Sequence, residues 1–177
     1  MGIQSNSLHL TKDEFFYSFK EQTKGTKHTA FLESGRGGNY SIAAWDPFAI
    51  VQSVDGGIQI TWQNGEIEAR NGEPLALIEA LINEYKLEVD PNLPQFQGGA
   101  IGFISYDYAR KIERLPIIAE DTLQVPDLYF YLFNTWAVHD VNTDEVTLMK
   151  LQQSDVDLVK WASEWKLAAK AGVDSRL

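Results

Sequence analysis

The stretch LYFYLFNTWAVHD, residues 128–140, is long, apolar and rich in aromatic and β-branched side chains. That composition favours a β-strand, and a strand with apolar residues on both sides belongs in the middle of a sheet. We therefore predict one central strand over residues 128–140. The turn residues 142–144 follow it and reverse the chain into EVTLMKLQ, residues 145–152, as a second strand.

Further strand segments precede this stretch. HTAFLES and NYSIAAW, residues 28–34 and 39–45, are predicted strands, and residues 48–72 continue as a three-stranded meander. Asp55-Gly56-Gly57 and Asn64-Gly65 mark its two turns, because Asn and Gly tolerate the positive φ that tight hairpins require. The segment GGAIGFISYDYARKIERLP, residues 98–116, is predicted to enter as a strand and to leave as a short helix or turn before Pro116.

Three segments have helical spacing. Thr11 with Glu14 three residues later forms a capping box before a phenylalanine stripe, and this helix should end near Gly25. Pro74 suits the first turn of a helix over residues 74–88. The last helix lies within residues 154–170, with Ser154 as its expected N-cap. We predict an α+β fold, a mainly antiparallel sheet with flanking helices.

Composition limits the function classes. The chain has 177 residues, 44% of them hydrophobic, which is enough for one domain with a buried core. Its net charge of −10 opposes nucleic acid and anionic membrane surfaces as partners. The absence of cysteine excludes disulfides and thiolate zinc sites, and no apolar run resembles a signal peptide or a bilayer span. We expect a cytoplasmic protein.

No complete catalytic site is visible in the motifs. The three histidines are scattered, without metal-ligand spacing. His139 beside Asp140 could form a pair that orients an imidazole, although a structural role at a strand end is commoner. The glycines of GGAIG, residues 98–102, resemble a dinucleotide loop only superficially, and close backbone packing is the better explanation because apolar residues follow them.

One polar loop does have binding chemistry. Glu33 and Ser34 lie at the end of the predicted strand 28–34 and face glycines at 35, 37 and 38. Acceptor oxygens suit a protonated amine, and backbone N–H groups near glycines suit a carboxylate, so together they fit an amino acid. The alternative is a turn that the serine stabilises by local hydrogen bonds.

Three separated blocks resemble one family. FLES with NYSIAAWDP, then FQGGAIGFISYDYARKIERLP, then VPDLYFYLFNTWAVHD resemble, in this order, the N-terminal region of component I of anthranilate synthase and aminodeoxychorismate synthase. The details resemble the aminodeoxychorismate synthase branch more, which supplies 4-aminobenzoate for folate. The resemblance implies that residues 1–177 form the N-terminal domain of that fold, without the C-terminal chorismate-binding catalytic domain.

The resemblance also implies what the segment lacks. Catalytic residues and the Mg²⁺ site would lie in the missing domain, so this segment would hold no catalytic residue, metal or cofactor and would be inactive alone. The implied partners are a glutamine amidotransferase subunit, component II, and the chain's own C-terminal domain. If that domain normally covers one face of the sheet, residues 128–140 are our candidate for the apolar face left exposed.

The family resemblance assigns a role to the polar loop. Leu32, Glu33, Ser34 and Ser41 match residues that edge a tryptophan pocket, regulatory in anthranilate synthases and structural in some aminodeoxychorismate synthases. Asn39 stands where the family often has arginine, and the C-terminal domain completes the family pocket. The implied function is a scaffold with a possible tryptophan-binding site. The alternatives are the regulatory domain of an anthranilate synthase and a free-standing small-molecule-binding module.

Overall fold

The computed structural model describes residues 2–35, 37–108 and 125–174. Residues 109–116, which belong to the predicted helix or turn before Pro116, lie outside these ranges. The described chain divides into two compact units, each built on its own five-stranded sheet. The predicted α+β class, with mainly antiparallel sheets and flanking helices, is confirmed. In chain order the elements are β1 (Ile3–His9), α1 (Lys12–Gln22), β2 (Ala30–Leu32), β3 (Tyr40–Ala44), β4 (Pro47–Val54), β5 (Gly57–Trp62), β6 (Ile67–Asn71), α2 (Pro74–Glu84), β7 (Ala100–Ile104), β8 (Leu128–Phe133), β9 (Thr135–Asp140), β10 (Glu145–Leu151) and α3 (Leu158–Asp174).

The first unit comprises Met1–Pro47, Leu87–Gly98 and Phe133–Leu177. Its sheet has the order β1-β10-β9-β3-β2, and each of these neighbouring pairs is antiparallel. Helices α1 and α3 pack on each other, and α3 also contacts β1. The sheet therefore presents one face to a pair of helices.

Aromatic side chains fill the core of the first unit. Trp165 of α3 is fully buried, and its ring lies 5.3 Å from Phe15 of α1 and 5.7 Å from Trp45. Burying rings of this size stabilises the unit by about 1.5–3 kcal/mol each. This packing fixes α1 over the sheet, next to the loop between β2 and β3.

The second unit comprises Phe48–Lys86 and Gly99–Leu132. Its sheet has the order β6-β5-β4-β8-β7. The apolar face of α2 contributes Ile78 and Leu81 to a core that also holds Ile58 and Ile60 of β5. Both predicted hairpins are confirmed, and Gly56 and Gly65 in their turns have positive φ, at 77° and 86°.

The prediction of one central strand over residues 128–140 was wrong. The stretch forms β8 and β9, which belong to different sheets, and the break falls at Asn134, a residue with low strand propensity. The Asn134 carbonyl accepts a hydrogen bond from the Leu151 N–H at 2.8 Å. Phe133 and Trp136 are 4% and 0% exposed, so the expectation that this stretch forms an exposed apolar face was also wrong.

Helix starts agree with the sequence except at α3. The capping box of Thr11 and Glu14 is present, and Pro74 begins α2. At α3 the expected cap was wrong: Asp157, not Ser154, accepts the N–H groups of the first turn, at 2.9 and 3.1 Å. A carboxylate directly before the helix also suits the positive end of the helix dipole. Among the described residues, no helix combines the length and the apolar character needed to cross a bilayer.

Candidate ligand-binding site

The four residues of the predicted pocket lie at one end of the β2–β3 hairpin in the first unit. Leu32 is the last residue of β2, pairs with Ile42 of β3, and is 49% exposed. Ser41 lies in β3 and is 1% exposed. Glu33 and Ser34 begin the loop that connects the two strands. The hairpin thus brings residues from both sequence blocks to one edge of the sheet.

The two serines are joined by a hydrogen bond. The Ser34 N–H donates to Ser41 Oγ at 3.0 Å, so the buried hydroxyl of β3 holds the start of the loop. The Ser34 hydroxyl itself is buried and has no hydrogen-bond partner among the described residues. A Cβ on Gly38 would lie 2.6 Å from Ser34 Oγ. Glycine at 38 therefore leaves room beside a hydroxyl that can still donate and accept.

Glu33 does not join the serines in a buried pocket. Its side chain is 59% exposed, and its carboxylate pairs with Lys12 Nζ at 2.7 Å. An exposed ion pair of this kind contributes about 0–1 kcal/mol. Sequence reasoning missed Lys12, because nothing local to residue 33 indicates that the start of α1 lies beside it. A ligand amine would have to displace Lys12 to reach this carboxylate.

His139 lies beside Ser41 on the neighbouring strand, and its contacts are those of a buried structural residue. The two residues are register partners in β9 and β3, and His139 is fully buried. Its Nε2 lies 3.1 Å from the Leu10 carbonyl oxygen and 3.3 Å from Asp144 Oδ1, and the ring stacks on Phe15 at 5.2 Å. The carboxylate beside the imidazole is thus Asp144, not Asp140. This arrangement supports the structural role.

The last glycine of GGAIG, Gly102, serves packing in the second unit. A Cβ on Gly102 would lie 2.0 Å from the Tyr129 carbonyl oxygen, so only glycine lets β7 approach β8 this closely. Gly98 and Gly99 have φ of 116° and 106°, which leads the chain into β7. The segment resembles no phosphate-binding loop, as the sequence reasoning favoured.

One cavity of the second unit was not predicted. A cavity of about 580 Å³ in the second unit is lined by residues that include Asp55, Glu73, Tyr108 and Asp127. The Tyr108 hydroxyl donates to the Glu73 carboxylate, and this bond lowers the pKa of Glu73. Burial, with the same bond, raises the pKa of Tyr108. No sequence signal connects these residues, because they come from a turn, a helix cap, a helical segment and the residue before β8.

The described residues do not fit a metal centre. No group of three or more His, Asp or Glu side chains comes together among them in a way that could hold an ion. What the described first unit offers is a hairpin edge with one buried, unpartnered hydroxyl.

Comparisons with known proteins agree on one family. No family model matches the chain. It is 41% identical over 142 residues to "Aminodeoxychorismate synthase component 1" of Bacillus subtilis, covering 80% of this chain and 30% of that protein. It is 35% identical over 113 residues to "Anthranilate synthase component 1" of Acetivibrio thermocellus, covering 62% of this chain and 23% of that protein.

A solved structure agrees with these relatives. The crystal structure of anthranilate synthase component I from Streptococcus pneumoniae matches 86% of this chain and 33% of its own, with a TM-score of 0.54 and 25% identity. The chain belongs to the component I family of aminodeoxychorismate and anthranilate synthases. Its match spans about a third or less of each of these three proteins, and that partial coverage fits their N-terminal domain.

Proposed function

We propose that this chain is the N-terminal, non-catalytic domain of an aminodeoxychorismate synthase component I. The whole enzyme would aminate chorismate to 4-amino-4-deoxychorismate in the synthesis of 4-aminobenzoate and folate. The observation that carries the proposal is the 41% identity over 142 residues to a component of that name. The match to an anthranilate synthase component is shorter and weaker, at 35% over 113 residues.

The domain would act as a scaffold in the cytoplasm. Its two sheets and their cores are built from its own residues, and the described residues hold no constellation of nucleophile, base and oxyanion donors. Chorismate, Mg²⁺ and the ammonia supplied by a glutamine amidotransferase subunit would meet in a following C-terminal domain. We therefore expect no synthase activity from these 177 residues alone.

The hairpin edge supports a pocket for an amino acid such as tryptophan. Ser34 has an unused hydroxyl, and Leu32 offers a half-exposed apolar side chain beside it. Ser41 would act by holding the loop rather than by touching the ligand, since its oxygen already accepts from the Ser34 N–H. Because Glu33 is paired with Lys12 and the family's arginine is replaced by Asn39, we expect weak binding by this chain alone.

Product identification tests the enzyme assignment. The longest polypeptide read from the gene would be assayed with chorismate, glutamine, Mg²⁺ and an amidotransferase subunit, and the product identified by mass. Aminodeoxychorismate is the expected product. Anthranilate as the product would refute the assignment and favour the second candidate, the regulatory domain of an anthranilate synthase in tryptophan synthesis. The similarity to several anthranilate synthase components supports this second candidate. A frame that ends at Leu177 would favour the third, a free-standing binding module.

Ligand-induced stabilisation tests the pocket. Tryptophan should raise the melting temperature of the same polypeptide, and Ser34→Ala should reduce that rise because the ligand loses a hydrogen-bond partner. Ser163→Ala is the matched control, since Ser163 is exposed on α3 and bonds only the Val159 carbonyl among the described contacts. An equal rise in wild type and Ser34→Ala would remove Ser34 from the pocket.

A further inference from the structure

The two edges of the second sheet differ in charge. Edge strand β6 carries Glu68 and Arg70, and Arg70 bonds Glu68 at 2.7 Å and Glu84 at 2.6 Å. Charged side chains on an edge are a common protection against pairing with another strand. The opposite edge strand β7, with the sequence AIGFI, has no charged residue and no proline. Among the described residues, charged side chains therefore protect the β6 edge of this sheet and not the β7 edge.

The backbone of β7 has polar groups directed away from its neighbour. The Ser105 N–H donates to the Asp127 carbonyl, and these two residues continue the β7–β8 register. Because hydrogen-bonded pairs alternate along an antiparallel ladder, Phe103 with Tyr129 and Ile101 with Tyr131 are the other hydrogen-bonded pairs. It follows that Ala100, Gly102 and Ile104 point their N–H and C=O groups to the open side. None of the described residues pairs with β7 on that side.

The side chains of β7 complete a strand-binding surface. Phe103 and Ile104 are 44% and 50% exposed, and as consecutive strand residues they lie on opposite faces of the sheet. Phe103 also stacks on Tyr129 of β8, with ring centroids 6.0 Å apart and planes at 16°. A strand added beside β7 would cover both side chains and satisfy the open backbone groups together, as in β-augmentation.

We propose that β7 is the docking edge for a β-strand from the further part of a longer polypeptide. This inference rests on the proposed function. The matched Bacillus relative has most of its length outside the match, since the chain covers 30% of it. An uncharged, apolar edge suits a permanent intramolecular partner. A second copy fits less well, because two chains of net charge −10 repel each other as they approach.

Residue-resolved amide hydrogen exchange tests the proposal directly. In the 177-residue chain, the outward amides of Ala100, Gly102 and Ile104 should exchange at least 10-fold faster than the inward amides of Ile101 and Phe103. In the longest polypeptide read from the gene, the outward amides should slow by 100-fold or more. Outward amides that exchange equally fast in both forms would overturn the proposal.

A pair of edge variants supplies a second readout. Ile104→Lys places a charge on the β7 edge, and Ile67→Lys places one on the β6 edge, where the wild-type side chain is 64% exposed. In the long polypeptide, Ile104→Lys should restore fast exchange of the outward amides and Ile67→Lys should not. In the 177-residue chain neither substitution should change these amides. Equal effects of the two variants in the long polypeptide would contradict a docking role for β7.

Other occupants give different results, each of which overturns the proposal. Outward amides protected in a dimer of the 177-residue chain would identify a second copy, and protection only after an amidotransferase subunit is added would identify that subunit. A reading frame that ends at Leu177 would leave no strand to dock. The proposed function is tested separately. If the long polypeptide makes aminodeoxychorismate but its β7 amides stay exposed, the proposed function holds and the docking proposal fails. If the β7 amides are protected but that product is not made, only the proposed function is refuted.

Discussion

Replacing Ser41 by alanine should destabilise the chain, whereas replacing Ser34 by alanine should not. Ser41 Oγ is the acceptor for the Ser34 N–H at 3.0 Å, and Ser41 is 1% exposed. The Ser41→Ala variant leaves that half-buried N–H without its partner. The Ser34 hydroxyl, in contrast, has no partner to lose among the described residues.

The expected difference follows from these contacts. Leaving a buried donor unpaired costs about 1–3 kcal/mol, and the partial exposure of the Ser34 backbone favours the lower half of that range. At the size of this chain, 1 kcal/mol changes the melting temperature by about 2–4 °C. Removing the unpaired Ser34 hydroxyl should change the free energy of unfolding by less than about 0.5 kcal/mol or increase it, because a buried hydroxyl without a partner is itself unfavourable.

Urea unfolding of the free chain measures both variants. The transition midpoint should fall for Ser41→Ala and stay at the wild-type value for Ser34→Ala, with unchanged slopes for both. Ser163→Ala, on the exposed side of α3, gives the baseline for a serine substitution. If Ser34→Ala costs as much as Ser41→Ala, the Ser34 hydroxyl has a partner in the free chain, and the argument for an available hydroxyl is refuted.

Three further changes test the fold. Gly102→Ala puts a Cβ 2.0 Å from the Tyr129 carbonyl oxygen, so it should cost about 3 kcal/mol or more in unfolding free energy, measured in urea. Thr11→Ala removes the N-cap of α1 and should cost about 1 kcal/mol in the same assay. Arg70→Met should lower the free energy of unfolding at pH 7, and should lower it less in acid. The reason is that Arg70 holds the folded-state pKa of Glu68 below its ordinary 4.5. The stabilisation from this ion pair is therefore complete above pH 4.5 and is lost as the pH falls through the lowered pKa.

Gly102→Ala and Arg70→Met each have a control in the chain. Gly35→Ala meets nothing within 4 Å, so a comparable loss there would show that the Gly102 contact is not the cause. Lys160→Met makes the same kind of substitution at an exposed cation whose Nζ lies 3.9 Å from Glu164, and it gives the baseline for removing a surface charge. If the loss of stability in Arg70→Met does not change with pH, the ion pair of Arg70 with Glu68 does not set the acid dependence.

Local signals made much of the fold predictable. The capping box of α1, the proline at the start of α2 and the two glycine turns each depend on residues within a few positions of one another. The interactions that form these caps and turns are made between residues of the same short segment. Alternation and apolar content likewise located β7 and β10.

The errors came from interactions between distant segments. β1 was missed because its sequence IQSNSLH is largely polar and its strand is paired with β10, near the other end of the chain. The split at Asn134 was missed because β8 and β9 have similar composition, and only the partners of each strand assign them to different sheets. Ser154 was expected as the cap of α3, but the helix begins at Leu158, and the Asp157 carboxylate accepts the N–H groups of its first turn.

The candidate site divides in the same way. The family resemblance implied that Ser34 and Ser41 belong to one pocket, and the structure gives a hydrogen bond that joins them. The sequence could not indicate that Lys12 would take the Glu33 carboxylate or that Asp144 would replace Asp140 beside His139, since both depend on tertiary placement. These two contacts change the chemistry expected of the site, because they remove a free carboxylate and a catalytic pair.

The unpartnered Ser34 hydroxyl connects the fold to the proposed pocket. Burying a hydroxyl without a hydrogen bond lowers the stability of a protein by about 1–3 kcal/mol, according to mutational data. A domain that acts only as a scaffold gains nothing from such a group. A ligand that bonds this hydroxyl would recover that free energy only when bound. Ser34→Ala should therefore have opposite effects in the two states, neutral or stabilising without ligand and destabilising with it. If the sign is the same in both states, the hydroxyl is a packing imperfection and the hairpin edge serves the scaffold only.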